Sequence, residues 1–208
     1  MADKVKVAVL LSGRGSNMLA LSEHKRRDPD RPYEIALVAS NVPEARGLVL
    51  ARRLGHPTWS LSHKGLEREE FDSRLNEALQ ARDIELIALA GYMRLLSDEF
   101  VETWAGRILN VHPSLLPLYK GLDTHRRAIV SGDEYGGCSV HLVTADLDSG
   151  PVLGQSKVKI LPRDDSETLA ARVLEEEHRL YPIVLEEYCR ALRRDPAALE
   201  QSESNSEP

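Results

Sequence analysis

The order of its segments constrains this chain most. Between Val5 and Val111, short apolar runs alternate with segments of helical period. Residues 5–11, 33–39, 58–61, 84–90 and 108–111 read as strands, the first ending at Ser12-Gly13. Near-continuous apolar runs suit strands buried on both faces of a parallel sheet. Between them, residues 17–27, 43–54, 67–81 and 98–104 read as helices. The third carries Phe71, Leu75, Ala78 and Leu79 at i, i+4, i+7 and i+8, the stripe of a core-facing helix. This alternation predicts an α/β fold: one domain with a mainly parallel, Rossmann-like sheet and helices on both faces. A length of 208 residues suits one domain with a full core.

The pattern changes after Val111. A proline-rich loop leads to a helix at 125–131. The alternating runs 139–143 and 152–160 then read as paired strands extending the sheet, with antiparallel pairing open to this C-terminal extension. Asp165-Ser166 caps a long helix to about Leu192, and Pro182 is placed to kink it. Residues 193–208, rich in Glu and Ser, read as a flexible polar tail behind a domain of residues 1–192.

Asn110-Val-His-Pro-Ser-Leu-Leu-Pro117 is the most informative stretch for chemistry. Side chains alternate along a strand, so Asn110 and His112 point the same way from its C-terminal end. Open α/β sheets keep their active sites there. Pro113 and Pro117 stop the strand and stiffen the loop. An amide that can hold an oxyanion, beside an imidazole that can move protons, suits acyl transfer. Further on, Asp148 sits in a turn closed by Gly150-Pro151. A carboxylate there can orient His112 and raise its pKa, but the sequence leaves open whether the two meet. Ser12-Gly-Arg-Gly-Ser-Asn17 joins a strand to a helix. Its glycines let backbone amides approach an anion, and the helix start adds partial positive charge. A plain βα turn capped by Ser16 is the competing reading. The segment is neither a Walker loop nor a full dinucleotide fingerprint.

The formal net charge of −6 argues against a general binder of nucleic acid or membrane surfaces. An anionic small substrate remains compatible, since a few local donors can hold it. Cys138 and Cys189 are far apart and show no metal spacing, as expected of a reduced, cytoplasmic protein. The polar N-terminus runs straight into a strand, without the pattern of a signal peptide. No apolar run approaches the ~20 residues of a membrane span. Among seven histidines, His24 and His63 lie among charges and read as surface groups. His141 reads as a packed strand imidazole, and His125 as a brace for the loop after Pro117. Only His112 has an asparagine at i−2 and a strand-end position.

Asn-x-His-Pro-Ser-Leu-Leu-Pro followed by Leu-Asp-x-Gly-Pro resembles the signature of the folate-dependent formyltransferases. Ser12–Asn17 narrows the resemblance to the phosphoribosylglycinamide formyltransferases, over about residues 5–192. The resemblance implies formyl transfer from 10-formyltetrahydrofolate to the amine of 5-phosphoribosylglycinamide, in purine (IMP) biosynthesis. It implies these small molecules as partners, no nucleic acid, membrane or metal, and a monomer or homodimer. Asn110, His112 and Asp148 would be catalytic. Gly15, Ser16 and Asn17 would hold the substrate phosphate, and Glu177 its glycinamide or ribose. Met93, Arg94, Leu95 and Leu96 would form a pterin-binding wall, with Asn110 and Thr144 also on the folate. Arg94 and Arg68 would meet the carboxylates of its glutamate tail. By residues alone, Glu177 belongs to an acidic solvent face and Arg94 is solvated. Leu174 departs from relatives, which often place a polar or basic group there. A formyltetrahydrofolate hydrolase or another formyl-folate-dependent transferase is the alternative. The first resembles longer chains with an N-terminal regulatory domain. A transferase acting on tRNA would need an RNA-binding domain and a basic surface. A non-catalytic phosphoribosyl- or folate-binding module is the reading from a different class.

Overall fold

The computed structural model of the chain describes residues 4–194. Strand β1 (Val5–Leu11) shows why its run is apolar throughout. Val5, Val7, Val9 and Leu11 enter one buried cluster, while Ala8 and Leu10 enter another on the opposite face. Parallel to it run β2 (Tyr33–Ser40), β3 (Thr58–Ser60), β4 (Leu86–Leu89) and β5 (Ile108–His112). Strands β6 (Tyr135–Leu142) and β7 (Val152–Lys159) continue the sheet antiparallel. The order is β3-β2-β1-β4-β5-β6-β7.

Helices α1 (Ser16–Arg27) and α2 (Arg46–Arg53) cover one face with the C-terminal part of α6 (Ser166–Arg194). They contribute Met18, Leu21, Leu48, Ala51, Tyr181 and Leu185 to the first cluster. Helices α3 (Arg68–Gln80) and α4 (Asp98–Thr103) cover the other face through Phe71, Leu75, Leu79 and Phe100. The short α5 (Thr124–Val130) follows the proline-rich loop. The fully buried Tyr181 hydroxyl lies 3.1 Å from the carbonyls of both Leu89 and Leu109, which ties α6 to β4 and β5. From β1 the chain moves outward to β2 and β3, then returns to β1's other side as β4. This reversal opens a crevice beyond the carboxyl ends of β1 and β4, where ligands bind in such sheets.

Several boundaries differ from the sequence reading, each for a local reason. Pro43-Glu44 forms a turn closed by the Ala45 N–H on the Val42 carbonyl (3.0 Å), so α2 begins only at Arg46. Strand β6 begins at Tyr135 rather than Ser139, because Gly136-Gly137 is part of the strand rather than a break. A Cβ at Gly137 would lie 2.1 Å from the Ser156 carbonyl oxygen, so only glycine passes there. Asp165 caps α6 as expected: its Oδ1 accepts from the amides of Glu167 (3.1 Å) and Thr168 (2.8 Å). Pro182 lies inside α6. That helix extends to Arg194, and Arg193 pairs with Glu85 at 2.6 Å. The start of the expected tail is therefore helical, and positions 195–208 lie outside the described residues. Among the described residues no helix is long and apolar enough to cross a membrane.

Candidate active site

Asn110 and His112 stand on alternate positions at the end of β5, opposite His141 and Ser139 of β6. Asp148 comes from the turn between β6 and β7, at φ +48°, a left-handed conformation that aspartate tolerates better than most residues. His112 Nδ1 is 3.3 Å from Asp148 Oδ2, so the two groups meet. His141 joins them: its Nε2 lies 3.6 Å from Asp148 Oδ1 and 3.2 Å from Asn110 Nδ2. Its ring is packed, as expected, yet it also connects Asn110 to Asp148. Only the antiparallel pairing of β5 with β6 reveals that connection.

The hydrogen bonds constrain protonation. His112 Nε2 is 3.0 Å from the Tyr119 carbonyl, which can only accept, so Nε2 carries a hydrogen. Nδ1 faces a carboxylate, another acceptor, so only the imidazolium satisfies both sides. Burial opposes that charge. Desolvation pushes the His112 pKa below its ordinary value, outweighing the Tyr119 carbonyl and the Asp148 carboxylate, which raise it. Asp148 therefore acts with the expected sign, but burial sets the net direction. Burial also pushes Asp148 up. That is more than offset by His141, the Gly121 amide (2.9 Å) and His112, which hold its carboxyl below the usual range. His141 Nδ1 lies 2.8 Å from the Leu142 carbonyl and donates to it. One Asn110 amide hydrogen faces His141 Nε2 at 3.2 Å, and the other remains available to a ligand. The loop after β5 is clasped to the Asp148 turn by Gly121 and by Lys120, whose Nζ donates to Ser149 Oγ at 2.6 Å.

Gly15, at φ +81°, is itself the N-cap of α1, without a side-chain cap bond, so Ser16 is not the cap. The first amides of α1 are left for an external acceptor. A Cβ on Gly15 would lie 2.7 Å from Gly47 Cα in α2, and the Gly47 N–H donates to the Gly13 carbonyl at 2.9 Å. Close packing of two helix starts thus requires the glycine, whatever the loop binds. Asn17 Nδ2 donates to Glu177 Oε2 at 2.7 Å, both side chains being buried. Glu177 is not on a solvent face. Burial raises its pKa against the effect of the Asn17 bond. Leu174, one turn earlier on α6, is half-buried.

Beyond β4, Met93 and Leu95 are exposed apolar side chains, 76% and 57% accessible, on the rim of the crevice. Among the described residues the amides of Arg94, Leu95 and Leu96 find no acceptor in the protein. The Met93 amide is different, because it donates to Ser12 Oγ at 2.8 Å. The amides of 94–96 are therefore available as donors, whereas that of Met93 is not. Arg94 is not simply solvated. Its Nη2 donates to the Glu67 carbonyl (3.1 Å), and its guanidinium lies 5.1 Å from the Phe71 ring centre. Arg68 is the exposed first residue of α3, at the same corner. Thr144 Oγ1 donates to the Asp146 carbonyl at 3.3 Å. His24 and His63 are engaged rather than merely solvated: His24 pairs with Glu186 (2.8 Å), and His63 Nδ1 lies 2.8 Å from the Asn41 carbonyl. Among the described residues no group of three or more His, Cys, Asp or Glu side chains is arranged to hold a metal ion.

A family profile described as formyl transferase matches residues 5–185. The chain is 42% identical over 182 residues to the phosphoribosylglycinamide formyltransferase of Escherichia coli, covering 87% of this chain and 85% of that one. It is 45% identical over 185 residues to a trifunctional purine biosynthetic protein, adenosine-3, of Gallus gallus; this covers 88% of the chain but only 18% of that protein's length. The crystal structure of the phosphoribosylglycinamide formyltransferase from Brucella melitensis superposes with a TM-score of 0.85 at 46% identity, covering 90% of this chain and 96% of that one. With a profile match across most of its length and relatives of its own size, the chain belongs to the formyl transferase family.

Proposed function

We propose that this chain transfers the formyl group of 10-formyltetrahydrofolate to the amine of 5-phosphoribosylglycinamide, a step of purine (IMP) biosynthesis. The observation that carries the reading is the meeting of Asn110, His112 and Asp148 beside the crevice of the sheet. Two complementary surfaces support it: the uncapped start of α1, suited to a phosphate, and the amide row at 94–96, suited to a flat heterocycle. The names of the full-length relatives agree with it.

The substrate amine attacks the formyl carbon, and the carbonyl oxygen becomes an oxyanion. The second Asn110 N–H and the His112 imidazolium donate to it. For this, His112 Nε2–H must exchange the Tyr119 carbonyl for the oxyanion. Asp148 favours the imidazolium against desolvation and orients it. When the intermediate collapses, the bond to the folate nitrogen breaks and that nitrogen gains a proton. The amine loses one, so no net acid is consumed. Gly15, Ser16 and Asn17 hold the phosphate, and Glu177 the glycinamide or ribose. Thr144 and residues 93–96 hold the folate, and Arg94 and Arg68 its glutamate carboxylates. The buried free thiols of Cys138 and Cys189 suit a reducing, cytoplasmic setting, and a monomer or homodimer fits this reading.

The test is consumption of 10-formyltetrahydrofolate, followed by ultraviolet absorbance with and without 5-phosphoribosylglycinamide. Consumption only with the ribonucleotide is expected. Formate release in its absence would establish a hydrolase instead. Tight binding of both ligands without turnover would establish a binding module.

A further inference from the structure

Ser12 is the last residue before the glycine loop, and it bonds to the ends of two neighbouring strands. Its N–H donates to the Gly91 carbonyl at 3.0 Å. Its hydroxyl accepts the Met93 N–H at 2.8 Å and donates to Asn41 Oδ1 at 2.6 Å. Asn41 is 3% exposed and follows β2, while Gly91 and Met93 follow β4. One half-buried side chain thus fastens the segments beyond β1, β2 and β4 at the point where the sheet order reverses. On one side, the next residue, Gly13, begins the loop into α1 and is tethered through its carbonyl to Gly47 of α2. On the other, Met93 begins the segment whose next three amides find no acceptor among the described residues.

We propose that Ser12 is a positioning residue that couples the two ligand halves of the site, so that occupying one half strengthens binding in the other. This rests on the proposed function, which assigns the ribonucleotide to the loop at 13–17 and the folate to residues 93–96. Each ligand orders the segment it touches. Because the Ser12 hydroxyl holds Met93 and the Ser12 backbone leads into the loop, ordering one segment restricts the other. The second ligand then meets a smaller entropic cost. The coupling is reciprocal, as linkage requires. A merely structural Ser12 would alter both affinities without coupling them.

The experiment titrates 5-phosphoribosylglycinamide by calorimetry with and without saturating tetrahydrofolate, which carries no formyl group and permits no turnover. In the wild type, the folate should tighten ribonucleotide binding by about five-fold, the lower end of ordinary coupling. In Ser12→Ala the factor should fall to about one, while Ser12→Thr, which restores the hydroxyl, should retain it. A wild-type factor of one, or an undiminished factor in Ser12→Ala, overturns the proposal. A readout independent of any variant is hydrogen exchange of the Met93 amide in the wild type. The ribonucleotide alone should slow it, and unchanged exchange overturns the coupling even if Ser12→Ala does not fold. Wild-type protein that binds neither ligand refutes the proposed function itself; binding of both without coupling refutes only the role of Ser12.

Discussion

His112 is held between two acceptors and largely removed from water, and these conditions pull its charge in opposite directions. The Tyr119 carbonyl and the Asp148 carboxylate favour the imidazolium, and desolvation favours the neutral ring. Asp148→Asn keeps the shape and removes the carboxylate charge that favours the imidazolium. The His112 pKa, already below its ordinary value, should fall further. At neutral pH the variant would hold less imidazolium and stabilise the oxyanion less. Its kcat should drop more than its ligand affinities change, since the charge matters most in the transition state. An NMR titration of His112 in both proteins checks this. An unchanged or higher pKa in Asp148→Asn would reduce Asp148 to a turn residue that accepts the Gly121 amide. His112→Ala should cost ~10²–10⁴-fold in turnover, the usual worth of a positioned acid or base. Wild-type kcat would remove His112 from the mechanism.

Between β1 and α1, packing requires the glycine more directly than ligand access does. The left-handed φ of Gly15 and its 2.7 Å Cβ approach to Gly47 mean that Gly15→Val must displace α2 or break the turn. A left-handed backbone costs a branched residue roughly 1–2 kcal/mol, and overpacking adds about 1–3 kcal/mol. The variant should therefore melt several degrees lower, on the order of 2–4 °C per kcal/mol for a domain of this size. Binding of both ligands should suffer with it; an unchanged melting temperature would show that α2 yields freely. This contact marks where the sequence stops being legible. Apolar runs, helix stripes, the Asp165 cap and the strand-end placement of Asn110 and His112 are local patterns, so they can be read along the chain. The link from Asn110 to His141 spans 31 residues and depends on the register of β5 with β6. The start of β6 at Tyr135 is not legible, because nothing near Gly137 shows that the Ser156 carbonyl will pass so close. Glu177 sits in an acidic run, and only the packing of α6 on α1 turns it inward to Asn17.

At the scale of the whole molecule, the polar segment 195–208 carries little apolar surface to dock. Its removal should leave turnover and melting temperature unchanged; a drop in either would give the segment a structural role. Stability itself should depend on pH through histidines that folding removes partly or largely from water. Burial lowers the pKa of His56, His112, His125 and His178 from the ordinary 6.5. Between those lowered values and 6.5 the folded chain binds fewer protons than the unfolded chain, so its stability rises with pH. Their contribution is complete above 6.5 and is lost as pH falls through the folded values. Asp72 and Glu177 have the opposite sign, because burial raises them from 3.8 and 4.5. What they contribute is present below those values and is lost as pH rises through their folded pKa values. Four histidines thus lose their contribution as the pH falls below 6.5. Urea midpoints should decline from about pH 7.5 to about pH 5.5, and a flat profile would contradict the assignment. His56→Gln gives a second check. The His56 ring contacts Ser22 Oγ at 2.7 Å, and glutamine can keep a hydrogen bond there without titrating. The variant should show a shallower decline than the wild type, since one of the four proton sites suppressed by folding is gone.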